Sequence, residues 1–183
     1  MELVLVHPEI PHNTGSVARL AAATGLRLHL VEPLGFSLED RYLKRAGLDY
    51  WPMVDLVVPR DWEAACAFLR QGSKRPLEER LRLFSARGGA SLFSATFEPS
   101  DLLVFGSEGS GLPEELLSAH PEGRLYIPIL PGVRSLNLAN VVSVGVYTAL
   151  ARGGGPLPDN DGTYNAHPAS AQDVRPRDRV QEN

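Results

Sequence analysis

Leu102-Leu103-Val104-Phe105-Gly106-Ser107-Glu108-Gly109-Ser110-Gly111-Leu112-Pro113 joins an apolar run, a glycine-rich turn and a proline that opens the next element. Four large apolar residues in succession predict a strand buried on both faces, as in a parallel sheet. Proline suits the first position of a helix, where its missing N–H costs nothing. Between them, Gly106, Gly109 and Gly111 allow backbone conformations closed to other residues and close approach by a ligand. No Gly-Lys-Ser/Thr follows, and the glycine spacing is not that of a dinucleotide fingerprint. A tight turn alone would also explain the glycines. Glu108 adds something further, because a carboxylate among glycines has no packing role. It can accept hydrogen bonds from an amine or hydroxyl of a ligand, or from the cap of a neighbouring element.

Two other segments share the same strand-to-helix position. Asn13-Thr14-Gly15-Ser16-Val17-Ala18-Arg19 follows the apolar run Leu3–Val6, and Ser135-Leu136-Asn137-Leu138-Ala139-Asn140 opens the last helical pattern. Open α/β sheets place ligands at such carboxyl ends. Arg19 stands one helical turn beyond Gly15, which leaves its approach open. Its fork of donors suits phosphate or carboxylate, and a surface ion pair is the plain alternative. Asn137 and Ser135 are both cap residues by type. Two asparagines and a serine exceed what capping one helix needs. The free N–H groups of a helix start also suit a polar ligand.

Around these segments strand and helix signals alternate. Strands are expected at Leu3–Val6, Leu26–Glu32, Val54–Val58, Leu81–Ser85, Leu102–Phe105 and Arg124–Ile129. The first helix is expected from an Asn13 cap to Gly25, the second from a Ser37–Asp40 capping box to about Gly47, and the third from an Asp61 cap to about Arg70. Gln71–Glu79 is expected to be a polar connection. A short helix starts at Pro113, and the closing helix spans about Asn137–Arg152. Its Val141, Val142, Val144, Val146, Tyr147, Ala149 and Leu150 are apolar on more than one face, so cover is expected from both the sheet and a partner subunit, with Val142, Val146 and Leu150 at the interface. This alternation predicts an α/β fold with a mainly parallel sheet and helices on both faces. Residues 1–152 form the expected domain. Residues 153–183, starting Gly153-Gly154-Gly155-Pro156-Leu157-Pro158, form an expected flexible C-terminal tail.

The chain of 183 residues has a formal net charge of −4 and a pI near 5.7. That excludes indiscriminate nucleic-acid binding through bulk charge, but not binding through a local patch. Arg41, Lys44 and Arg45 form one basic cluster, and Lys74, Arg75, Arg80 and Arg82 another. A solvated face is the plainer reading of the second. No apolar run is long enough to span a bilayer. The start, Met1–Val6, carries no basic region of a signal peptide. The single cysteine, Cys66, suits core packing, and a cytoplasmic location is expected.

The three motifs Asn13-x-Gly15-x-x-x-Arg19, Gly106-x-Glu108-x-x-Gly111-Leu112 and Ser135-Leu136-Asn137-Leu138-Ala139 resemble, in order and spacing, those of the SPOUT RNA 2′-O-methyltransferases. The resemblance covers about residues 2–152. Pro8-Glu9-Ile10-Pro11, Glu32-Pro33-Leu34-Gly35-Phe36 and Arg45-Ala46-Gly47-Leu48-Asp49-Tyr50 are similar to the stand-alone subfamily acting on the wobble cytidine or uridine 34 of tRNA. The resemblance implies a C-terminal trefoil knot, an exception to unthreaded topology. It also implies S-adenosyl-L-methionine as donor, a homodimer with a shared site, a tRNA substrate, and no metal or membrane. Carried onto this chain, the cofactor-binding residues are Ala86, Gly106, Glu108, Gly111, Ile127, Ser135 and Leu136. The catalytic residues are Arg19, Ser135 and Asn137, and Asn13, Arg19, Arg41, Lys44 and Arg45 face the substrate. The chain departs from the pattern in lacking an N-terminal RNA-binding domain, in an extension at Gly72–Arg80, and in the longer tail.

No histidine lies within the three motifs, although His7 and His12 stand near the first. The resemblance assigns proton removal from the ribose hydroxyl to Arg19. A free guanidinium is a poor base, so a substrate phosphate and the site geometry must support that role. Two rival readings remain at this point: a related enzyme acting on ribosomal RNA, and an RNA-binding module with a vestigial donor site.

Overall fold

The computed structural model describes residues 1–38 and 50–158. Seven strands form one sheet in the order β3-β2-β1-β6-β4-β7-β5, and every pairing between them is parallel. In chain order they are β1 (Glu2–Val6), β2 (Arg27–Val31), β3 (Leu56–Val57), β4 (Leu81–Phe84), β5 (Ala90–Ser91), β6 (Leu102–Phe105) and β7 (Arg124–Tyr126). The helices are α1 (Pro11–Thr24), α2 (Trp62–Gln71), α3 (Leu77–Arg80), α4 (Glu114–Ala119) and α5 (Leu138–Ala149).

Strand periodicity divides the core in two. Leu3, Leu5, Leu28, Leu30, Leu103 and Phe105 point to the face covered by α1 and α5. Val4, Val6, Val31, Leu102 and Val104 point to the face covered by α2, α3 and α4. Adjacent residues going opposite ways is the two-residue repeat of a strand, and a sheet covered on both sides needs both sets apolar. Cys66 packs in the second cluster, where burial pushes its thiol pKa up, in keeping with core packing.

Several expectations are corrected. α1 starts at Pro11 with Ile10 at the cap position, so Asn13 lies inside the first turn and does not cap it. Proline at the first helical position sets that earlier start. The Gln71–Glu79 connection contains most of α3, with Leu77 and Arg80 buried. β5 was not expected, being two residues long between glycine-rich and polar segments. α5 ends at Ala149 and passes into a π-turn, Leu150–Gly154. Val142, Val146 and Leu150 are covered by the chain's own core and not by a partner, because α5 lies across Phe84 and Phe105. On this helix the exposed large apolar residues are Val144 and Tyr147. The helix expected from Ser37 to Gly47 falls largely on residues 39–49, and the tail after Pro158 is likewise outside the described residues.

The second basic cluster is mostly structural. Asp101, fully buried just before β6, accepts from Arg75 at 3.0 Å and from Arg82 at 2.9 Å. Arg80, also buried, donates to the carbonyls of Leu69 (2.7 Å) and Ser100 (2.8 Å). These arginines lash α3 and the chain before β6 to the amino edge of the sheet. Replacing Asp101 with alanine removes the buried carboxylate from Arg82 and from Arg75, which keeps Glu98 at 3.0 Å, and should lower unfolding free energy by about 3 kcal/mol. Urea denaturation measures it; a loss below about 1 kcal/mol, the scale of an exposed pair, refutes a buried clamp.

Candidate functional site

The carboxyl ends of β4, β6 and β7 lie side by side, and register sets their loops level. Leu83 pairs with Val104, and Phe84 with Leu125. The Ser85 N–H continues the ladder to the Leu125 carbonyl at 2.9 Å. Following these registers outward brings Ala86, Gly106 and Ile127 to one edge. Gly111, Ser135 and Leu136 are exposed, and Ile127 packs partly buried against the α1/α5 core.

The glycine-rich turn is closed by its own backbone. Ser107 and Gly111 exchange N–H···O bonds of 3.1 and 3.0 Å, and the Ser107 and Ser110 hydroxyls lie 2.9 Å apart. A Cβ on Gly106 would stand 2.0 Å from the Gly111 carbonyl carbon. Gly106 therefore lacks a side chain because the turn folds back over it, whatever ligand approaches.

A directed line of side chains then joins the three motifs. The Glu108 carboxylate accepts from Asn13 Nδ2 at 2.8 Å, and Asn13 Oδ1 accepts from Asn137 Nδ2 at 2.9 Å. Asn137 Oδ1 accepts from the Ala139 N–H at 2.9 Å and more weakly from Asn140 at 3.4 Å, capping α5. A carboxylate can only accept, so it orients each amide behind it in turn. Asn13, expected to face substrate, is 5% exposed and uses both ends of its amide in this line.

Glu9 completes the arrangement. Its N–H donates to Glu108 Oε2 at 2.9 Å, and its own carboxylate accepts from the Gly109 N–H at 3.1 Å. A Cβ on Gly109 would fall 2.9 Å from Glu9 Oε2. Glu108 thus accepts from the protein with both oxygens, from the Glu9 N–H and from Asn13 within the first turn of α1, neither of them its cap. Glu9 carries no sequence signal of this role beyond being a lone carboxylate between Pro8 and Pro11.

Arg19 is exposed on α1, its guanidinium 4.8 Å from the centre of the Tyr50 ring. That contact holds the side chain by cation–π attraction and leaves its donors for another group. Arg41, Lys44 and Arg45 lie outside the described residues.

The carboxyl edge of the parallel sheet thus carries three backbone-rich loops, an ordered helix start and an exposed arginine. The chain belongs to the SpoU rRNA Methylase family, whose model matches residues 1–147. It is 47% identical over 153 residues to the tRNA (cytidine(34)-2′-O)-methyltransferase of Burkholderia ambifaria, covering 83% of this chain and 95% of that one. It is similar to a structure solved for the 2-OH methylation of C/U34 on tRNA, with 51% identity, a TM-score of 0.75, and 82% and 94% of the two chains covered. The SpoU methyltransferase from Streptomyces viridochromogenes, crystallised with the cofactor AdoMet, shares the fold at 22% identity and a TM-score of 0.71, over 82% of this chain and 57% of that one.

The line from Glu108 to α5 predicts coupled energetics. Asn13→Ala leaves Glu108 and Asn137 each short of a partner and should cost about 1–3 kcal/mol. Asn137→Ala should cost about 1 kcal/mol through the lost cap. In denaturant titrations the double variant should lose less than the sum by at least about 0.5 kcal/mol. Strict additivity refutes a continuous line.

Proposed function

We propose that this chain transfers a methyl group from S-adenosyl-L-methionine to the ribose 2′-OH of the wobble nucleotide, cytidine or uridine 34, of tRNA. The observation that carries the reading is the Glu108–Asn13–Asn137 line, which ties the three motif segments into one site. The likeness to wobble-nucleotide tRNA methyltransferases over most of both chains favours tRNA over ribosomal RNA.

The loops at the carboxyl edge fit the donor. Gly111, at φ +75°, has open space where a side chain would stand, and Leu130 and Val133 are 79% and 53% exposed beside the approach to α5. Backbone groups and apolar side chains together suit a ligand that is part purine ring, part polar tail. Ala86, Gly106, Gly111, Ile127, Ser135 and Leu136 would hold it, with Glu108 fixing the turn. When bound, the donor supplies an electrophilic methyl group on a sulfonium.

Arg19 pairs with the substrate phosphate, and the hydroxyl proton passes to a neutral guanidine nitrogen of Arg19, the guanidinium so formed being stabilised by that phosphate. Ser135 helps to place the hydroxyl, and Asn137, its amide committed to Asn13 and the α5 cap, helps by holding the helix start. Positioning of this kind supplies a large part of the rate. The unit doing this is residues 1–152. It works as a cytoplasmic homodimer in which Val144 and Tyr147 of α5 meet the partner and Arg19 completes the partner's site; no described helix is long and apolar enough to cross a membrane. Arg41, Lys44 and Arg45 contact tRNA phosphates.

Three measurements test this reading. Arg19→Lys should keep donor affinity by calorimetry and lose at least about a hundredfold in turnover; near-normal turnover removes arginine from proton transfer. Sedimentation at micromolar concentration should give a dimer, and an active monomer would sink the shared site. Lys44→Ala with Arg45→Ala should weaken tRNA binding and flatten its salt dependence by up to about two units of slope. An unchanged slope makes this cluster a solvated face.

A further inference from the structure

A cleft of about 340 Å³ opens on the opposite side of the sheet from α1 and α5, between α2 and α4. Its walls include His7 at the end of β1, Trp62 at the start of α2, and Glu115, Leu116, Ala119 and His120 on and after α4. None of these belongs to the three motifs. The volume is that of small-molecule sites, about 300–1,000 Å³.

Position singles this cleft out. β2 and β3 lie on one side of β1, and β6, β4, β7 and β5 on the other. α1, which follows β1, covers one face, while α4, which follows β6, covers the other. At such a reversal the connections diverge and leave a crevice outside the strand ends. The backbone adds a second sign. Among the described residues His7 is the non-glycine at positive φ, 52°, and its N–H is tied to the Val31 carbonyl at 3.0 Å. Strain kept at a side chain lining a cleft points to use of that side chain.

The lining chemistry selects the occupant. The lining is mainly apolar, with Leu116 and Ala119 in its wall beside the aromatic residues His7, Trp62 and His120, and Glu115 is the one acidic residue of the lining. Unstacked bases are held by stacking on aromatic and histidine rings with hydrogen bonds to their edges. A carboxylate accepts from the exocyclic amine of cytosine, and adenine carries a similar group. The same carboxylate repels a phosphate.

The cleft also shares its walls with the proposed catalytic site. Pro113 lines it and follows the Gly106–Leu112 turn directly, and His7 lies two residues before Glu9, which grips that turn. We propose that the cleft is a second nucleobase site, taking an amine-bearing base of the tRNA loop that flanks the methylated nucleotide. This rests on the reading of the chain as a wobble-nucleotide methyltransferase.

The test uses the full chain, an anticodon stem-loop RNA and a set of the same RNA with one abasic loop nucleotide at each position flanking nucleotide 34. Ala119→Trp fills the cleft from an exposed helix position, and His7→Gly removes the imidazole while relaxing the backbone. Both should raise KM for RNA about tenfold, with kcat within twofold and donor affinity and urea stability unchanged. One abasic position should raise the wild-type KM by a similar factor and add nothing further in Ala119→Trp. Unchanged KM in both variants, or full additivity at every abasic position, overturns the proposal.

Should the wild-type chain leave nucleotide 34 unmethylated, the function reading fails separately. Trp62 fluorescence in a Trp51→Phe protein then decides the cleft alone. Quenching by the stem-loop that one abasic position abolishes supports the base site. Quenching by free adenosine or cytidine but not by RNA overturns it, because the ligand would then be a free nucleoside.

Discussion

The Glu108 carboxylate is the fixed point on which the carboxyl edge of this sheet depends. One of its oxygens is held by the Glu9 backbone and the other by Asn13. Because it accepts and never donates, it dictates which way the Asn13 amide faces, and Asn13 dictates the same for Asn137. Without the carboxylate the two amides could each turn over, and the α5 cap would compete with its own reversal. The first residues of α1, the turn after β6 and the start of α5 are far apart in the chain. Residues 13 and 137 stand 124 positions apart and still share a 2.9 Å hydrogen bond. Loop-closure entropy of that scale is offset mostly by the packing of α1 and α5 over the sheet, and the polar line then selects one arrangement of the loops.

At the other end of the strands a second carboxylate works differently. Asp101 is buried and takes two arginines, while Arg80 is spent on backbone carbonyls. Here positive charge is gathered to secure the amino edge, so those groups cannot serve RNA. The chain carries net charge −4, so this matters for binding. Phosphate attraction has to come from groups such as Arg19, which lies exposed over Tyr50, and recognition of a loop must lean on stacking and base edges.

Much of this is legible in the amino-acid sequence. Continuous apolar runs separated by helical patterns gave the parallel sheet, and β6 matched its expected bounds because glycine and aspartate punctuate it on both sides. Asp61, Gly25 and Asn137 took the cap positions expected of them. What misled was ambiguity of role within a residue type. Asn13 is a good cap by chemistry, but Pro11 fixed the helix start three residues earlier, with Ile10 at the cap, and released the Asn13 amide for a partner 95 positions away. Gly106 looks the same whether a ligand or the protein's own backbone crowds it. Arginines 75, 80 and 82 look solvated until a buried aspartate and two carbonyls are found beside them. For Asn13 and the arginines the deciding partner is distant in sequence, and for Gly106 it is the local fold of the turn; residue type alone encodes neither.

The two faces of the sheet carry unequal duties. On one, α1 and α5 bring Asn13 and Asn137 together and leave Val144 and Tyr147 exposed. On the other, α2 and α4 diverge around the ends of β1 and β6 and leave a cleft edged by His7. The Pro8–Ile10 loop lies between the two faces, with Glu9 bonded to the glycine-rich turn through both its N–H and its carboxylate. A displacement of that loop could not occur on one face alone. It would pull on Glu108, hence on the Asn13–Asn137 line and the start of α5, while also reshaping the wall of the cleft. The pair of glutamates is thus the shared boundary of the two sides, holding the turn and the loop in one arrangement.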